Sequence, residues 1–220
     1  MQGRTAAEIW HWLVRTDGGM WARIAGGSLV FSLLALWDLR RNGPSARRWR
    51  EYAFLLLSVA AAIVYGIVND QITVTLSPHY FVYYKGGLEA VGYNWAETPL
   101  QLRWQAVGVG VRATWWMGLI IGAVVLLVNS YPRRWPALPV RQLARLLPAV
   151  LVLTASLAAM AGLIGYLRPA DWIRDYPPIT VGDVNRFGAA WMIHAGGYLG
   201  GLAATAWAAQ HLLRRRRRKA

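Results

Sequence analysis

The sequence predicts an all-α integral membrane protein, a bundle of about five transmembrane helices with one strongly basic end, and three observations support this. Hydrophobic residues make up 56% of the 220 positions and charged residues only 15%, against about 25% charged in an ordinary soluble domain. Thirteen tryptophans are present, and indole favours the bilayer interface, where the ring meets headgroups and its N–H finds an oxygen. The net charge of +14 sits largely in short segments between apolar runs, which is the pattern of membrane topology and not of a nucleic-acid-binding face. No nucleic-acid partner is therefore expected. The absence of cysteine excludes disulfides, thiolate metal sites and cysteine nucleophiles.

Five runs approach the length of about 20 residues that crosses a bilayer: 21–37, 52–68, 107–128, 146–167 and 187–213. The first ends in Trp37-Asp38-Leu39-Arg40-Arg41 and not in small residues, so it reads as a retained helix and not as a cleaved signal peptide. Lipid gives helices no hydrophobic reason to associate, so close packing relies on small side chains. The second run offers Ser58, Ala62 and Gly66, a face that arrives at Asp70. The third offers Gly110, Thr114, Gly118 and Gly122; the fourth, Ala155, Ala158, Gly162 and Gly165; the fifth, the overlapping pairs Gly196/Gly200 and Gly197/Gly201. The first run shows only Gly26, Gly27 and Ser32, which predicts a four-helix core with a peripheral first helix.

Charge sets the expected direction. Segments 38–51, 131–145 and 214–220 together carry fifteen Lys/Arg and two acids, leaving nine and eight elsewhere. The positive-inside rule then places the C-terminus in the cytoplasm and the N-terminus outside, in the inner membrane of a bacterium. Residues 1–19 form an N-terminal interfacial segment with a short amphipathic helix at 5–15, 20–213 the bundle, and 214–220 a basic tail. Arg214, Arg215, Arg216, Arg217, Arg218 and Lys219 read as a topology anchor on anionic lipid, worth about 1 kcal/mol per residue near the surface.

Outside, segment 69–106 begins with alternating polar and apolar residues at 71–77, the period of an extended strand. The aromatics that follow, Tyr80 to Tyr84, need a surface to cover, and an interfacial lid over the bundle is expected. Segment 168–186 holds Arg168, Asp171, Arg174, Asp175, Asp183 and Arg186, mutually compensating charges around a stiff Pro177-Pro178.

Polar groups in the apolar zone are costly, so each requires a partner or a purpose. Asp70, with Gln71 and Thr73, closes the second run; Arg112 lies in the third; His194 lies in the fifth with Trp191 and Tyr198 on its face by helical spacing. All fall in the same outer half. Arg112 and Asp70 are the natural bidentate pair. The alternative is a pocket open to the outside, with Arg112 holding an anionic group and His194 binding or moving a proton. No HExxH, P-loop, GxGxxG or GxSxG element occurs. No metal and no cofactor are expected, haem ligation through His79 and His194 being the one reading left open.

The run Tyr65-Gly66-Ile67-Val68-Asn69-Asp70-Gln71-Ile72-Thr73, followed by His79-Tyr80-Phe81, resembles a motif of a family of uncharacterised bacterial multi-pass membrane proteins that often read YGIxHDQxT and then EYF. The likeness extends to Ala113-Thr114-Trp115-Trp116-Met117-Gly118 and to Trp191, His194, Tyr198, Gly200 and Gly201, covering the second to fifth helices. Asn69 and His79 depart from the family's His and Glu. The resemblance groups these sites without implying an activity.

Three functional classes follow from the residues: a protein that binds or transports a small polar or anionic ligand, a structural subunit with a homo-oligomeric or membrane-complex partner, and an outer-leaflet enzyme acting on a lipid-linked substrate. In the last, His194 is the base, and Thr73, Ser77 and Tyr80 are the candidate nucleophiles.

Overall fold

The computed structural model describes residues 17–85, 99–175, 177 and 181–220; the helix expected at 5–15, the 86–98 part of the long loop and Pro178 lie outside them. Among the described residues seven α-helices occur in order: α1 Asp17–Asn42, α2 Arg48–Leu76, α3 Pro99–Ser130, α4 Val140–Ala144, α5 Leu147–Leu167, α6 Asp171–Arg174 and α7 Val184–Arg217. There is no strand among the described residues. The protein is an all-α multi-pass membrane bundle. Four segments (Trp21–Asn42, Arg48–Leu76, Pro99–Ser130 and Val140–Leu167) are long and apolar enough to cross a bilayer. The fifth long helix, α7, has 34 residues, about 50 Å at 1.5 Å per residue. It is less apolar because it carries Asn185, Arg186, His194, Gln210, His211 and Arg214 to Arg217 beside its glycines.

The alternation at 71–76 does not form a strand; α2 runs through it to Leu76. Thr73 and Thr75 turn their hydroxyls back to the carbonyls of Asn69 and Gln71, at 2.9 and 2.8 Å, which satisfies them inside a helix. The helix stops at Ser77, whose extended backbone (φ −145°, ψ 92°) is what the following Pro78 demands.

Close packing divides the long helices into two pairs, α2 with α3 and α5 with α7, and the pairs touch each other far less than their members do. In the first pair, a Cβ on Gly110 would stand 2.8 Å from backbone atoms of Gly66 and Ile67, and one on Gly118 2.6 Å from the Ser58 carbonyl. In the second, a Cβ on Gly196 would meet Ala161 Cβ at 2.5 Å. Helix α1 lies outside both pairs and packs chiefly on α2, with Phe31 and Tyr52 rings 5.5 Å apart.

The three basic segments gather at one end. Asp38, 4% exposed, accepts from Asn42 Nδ2 at 2.7 Å and from the backbone N–H groups of Arg48 and Trp49 at 2.9 and 3.3 Å. It therefore caps the free N–H groups at the start of α2 from the previous helix. Asp38→Ala is expected to lower stability by about 1 kcal/mol, as for loss of an N-cap, which unfolding of the purified variant in mild detergent measures. Asn129 closes the turn after α3, donating to Leu138 O at 3.0 Å and accepting from Leu138 N at 2.9 Å.

Arg216 departs from its expected role. It is fully buried and all five of its guanidinium N–H donors are used. Nε donates to Pro136 O at 3.2 Å, Nη2 to Pro132 O and Trp135 O at 2.8 and 2.7 Å, and Nη1 to Tyr131 O at 2.5 Å and to Val128 O. A planar fork of five donors fits such a ring of carbonyls, and its charge faces the negative end of the α3 dipole. It is a buried C-terminal cap for α3 and not a lipid contact, while Arg214, Arg215, Arg217, Arg218 and Lys219 remain exposed.

Candidate functional site

A single buried stripe of α2, Phe54, Ser58, Ala62, Gly66, Asp70 and Thr73, carries two polar groups to the seam between the helix pairs. His194 of α7 meets them there. Its Nδ1 lies 3.7 Å from Asp70 Oδ1 and its Nε2 3.2 Å from Thr73 Oγ1. All three residues are buried. With a hydrogen on Nδ1 the ring faces the carboxylate as a donor and accepts from Thr73. A second proton on Nε2 yields an imidazolium beside a carboxylate, with Thr73 donating to Asn69 O instead. The group can therefore hold one proton more or fewer without rearranging its heavy atoms.

Below this group, a cavity of about 50 Å³ runs along the seam, with Asp70, Tyr65, Thr114, His194 and Tyr198 among its polar lining and Met117, Ile121 and Val150 among its apolar lining. That volume holds about four waters or a molecule of similar size. Two of its polar atoms, Asp70 Oδ2 and the Tyr65 hydroxyl, are buried with no hydrogen-bond partner. A buried unsatisfied polar atom costs about 1–3 kcal/mol, so the cavity presents a carboxylate oxygen that a donor placed there would satisfy. The tandem glycines of α7 divide their work. Gly196 and Gly200 press on α5, while a Cβ on Gly197 or Gly201 would have its nearest neighbours at 3.3 Å (Tyr65 Oη) and 3.7 Å (Met117 Cγ), where the two residues line the cavity.

The aromatic segment covers this group from the end opposite the basic segments. Tyr80–Tyr84 forms a single π-helical turn. The Tyr80 ring stacks on His194 with centroids 4.9 Å apart, and Phe81 meets its edge at 5.9 Å. Tyr84 accepts a hydrogen bond from Trp191 Nε1 at 3.0 Å, and Trp172 of α6 packs on both, with centroids 5.5 Å from each. The aromatic cover expected from sequence packs on His194 as a plug. Lys85 follows the plug, its ammonium 5.8 Å from the Tyr80 ring centroid. Burial holds that ammonium below the ordinary lysine range, and the nearby Asp70 carboxylate pulls it back upward.

Of the residues singled out by sequence, Asp70, Thr73 and His194 come together, and Asp70, His194 and Tyr198 line the cavity. Trp191 belongs to the plug. Gln71 is turned away, exchanging hydrogen bonds with Arg103 (2.9 and 3.3 Å). Arg112 does not line the cavity; it stands about 160° around α3 from Thr114, at 100° per residue. The titratable group that faces Asp70 in the cavity is His194. His79 stacks on Tyr83 at 5.8 Å and packs against Gly182, where a Cβ would stand 2.8 Å from His79 Nδ1 and where the φ of +60° also favours glycine. Sequence reading missed Tyr65, whose i−4 and i−5 relation to Asn69 and Asp70 was the available signal, and Lys85, for which there was none.

The order Thr73, His194, Asp70 matches the hydroxyl, imidazole and carboxylate of nucleophilic sites. Thr73 is 0% exposed and does not line the cavity, so no substrate reaches its oxygen in this arrangement. No group of three or more His, Asp or Glu that could hold a metal ion occurs among the described residues. Comparison with protein-family models, with curated proteins and with solved structures finds no match to this chain.

Proposed function

We propose that this multi-pass membrane protein binds and transfers a small hydrogen-bond-donating ligand in the seam between its helix pairs, with Asp70 as the receiving group. The single observation that carries this reading is the Asp70 carboxylate, 2% exposed and with Oδ2 unpartnered at the cavity. The polar contacts with His194 cross the seam, so parting the pairs breaks them and rejoining remakes them. The Tyr80–Phe81 plug closes one end in the state described. Charge orients the molecule with its basic end in the cytoplasm, the plug outside and the membrane a bacterial inner membrane. The ligand is a donor or a cation, where Arg112 alone had suggested an anion.

Asp70→Asn preserves shape and removes the charge. It is expected to weaken ligand retention about 10- to 100-fold, the worth of a hydrogen bond to a charged group. Native mass spectrometry of the protein extracted gently from its own membrane reads this directly. A small molecule retained equally by wild type and Asp70→Asn would refute the assignment. A second reading, a subunit of a larger membrane complex, is favoured by α1, which leaves Leu29, Val30, Leu33 and Trp37 more than half exposed. The same spectrum separates the two, since a bare chain that co-purifies with another protein supports assembly over ligand transfer.

A further inference from the structure

A second site lies at the opposite end of the bundle. The first turns of α2 and the short α4 enclose a groove of about 430 Å³. Its walls are Trp49, Phe54, Leu57 and Val140, and Arg50 and Arg141 stand on its rim. Both arginines are exposed, and neither has a carboxylate within salt-bridge distance among the described residues. The Arg50 guanidinium rests 5.4 Å from the centroid of the Trp49 ring, which holds it at the level of an interfacial indole. Leu57 lies two helical turns further along the same face of α2, about 10 Å deeper at 1.5 Å per residue. The groove thus pairs two cations at headgroup depth with an apolar floor running toward the membrane interior.

We propose that this groove is a binding site for one anionic phospholipid, with its phosphate between Arg50 and Arg141 and the start of an acyl chain along Leu57 and Val140. Charge and depth together select that occupant. A zwitterionic lipid brings its own cation to the rim, and a free anion leaves the apolar floor uncovered. Arg41 on Trp37 and Arg134 on Trp135 set further cations on interfacial rings, but these residues do not line the groove. Arg216 is consumed by backbone carbonyls, and the exposed Arg214, Arg215 and Arg217 flank it on the faces of α7 turned away from the buried row.

The test uses the full chain in mild detergent and native mass spectrometry, titrating phosphatidylglycerol against phosphatidylcholine. Wild type is expected to prefer phosphatidylglycerol. The double variant R50A/R141A should lose about 30-fold of that affinity, two cations' worth near a membrane surface, and R50K/R141K should recover most of it. Leu57→Trp, which fills the floor and leaves every charge in place, should lose affinity as well. The triple tail variant R214A/R215A/R217A should change it less than about threefold, as diffuse surface charge does. The proposal is overturned if R50A/R141A binds like wild type, or if the tail variant loses as much. It is equally overturned if Leu57→Trp is silent while inorganic phosphate displaces the lipid, because the site then takes a free anion.

Discussion

Replacing Arg216 by alanine is expected to destabilise the protein by about 3–5 kcal/mol, the range for removing one partner from a buried, hydrogen-bonded charge. Five carbonyls from Val128 to Pro136 lose their donor together, and the end of α3 loses its cap. Lysine should not rescue the loss, because one ammonium with three donors cannot serve five acceptors spread around a plane. Arg215→Ala, one residue away and exposed, should stay within about 0.5 kcal/mol of wild type. Denaturation of the three variants in the same detergent gives the comparison, and equal stability of Arg216→Ala and Arg215→Ala would remove the cap from the account.

The second large effect is expected in the glycines. Gly110→Val forces a side chain into the backbone of Gly66 and Ile67, where even a Cβ comes within 2.8 Å. Backbone cannot yield as a flexible side chain can, so a loss of about 3 kcal/mol or more is expected, at the upper end for overpacking. Gly201→Ala places its new methyl 3.7 Å from Met117 in the cavity and should be nearly neutral for stability. It should nevertheless weaken the ligand retained at Asp70, because it removes space from the cavity that holds it. Finding Gly110→Val as stable as Gly201→Ala would mean that the α2–α3 pair is not the rigid unit described.

The spans and the small-residue faces were legible because each follows from one physical requirement: apolar length to cross lipid, and small side chains to bring helices together. The candidate site was legible in part. Asp70 and His194 stand out as titratable groups in apolar runs, and their meeting across the seam follows from their depth. Depth alone groups Gln71 and Arg112 with them. Reading 71–77 as extended discarded the helical phase that turns Gln71 away from Asp70. The same phase hides in the arginine tail. Gly196, Gly200, Ala204, Ala208, Leu212 and Arg216 form one buried row at every fourth position, and extending that row past Leu212 distinguishes Arg216 from four chemically identical neighbours. A cover over the bundle was legible in the run of aromatics, but its seat on His194 was not, since aromatic content shows that rings need a surface without showing which one.

The Arg216 cap also orders the protein's biosynthesis. The carbonyls it binds belong to residues 80 to 88 positions earlier in the chain, so in a chain made from the N-terminus the turn after α3 emerges long before its donor. Until then water at the membrane surface must hold those groups. The turn locks only when the final helix has been inserted in register with α5. A chain interrupted before residue 216 can carry all of the long helices described and still lack the fastening, so the donor at 216 is what completes the turn after α3.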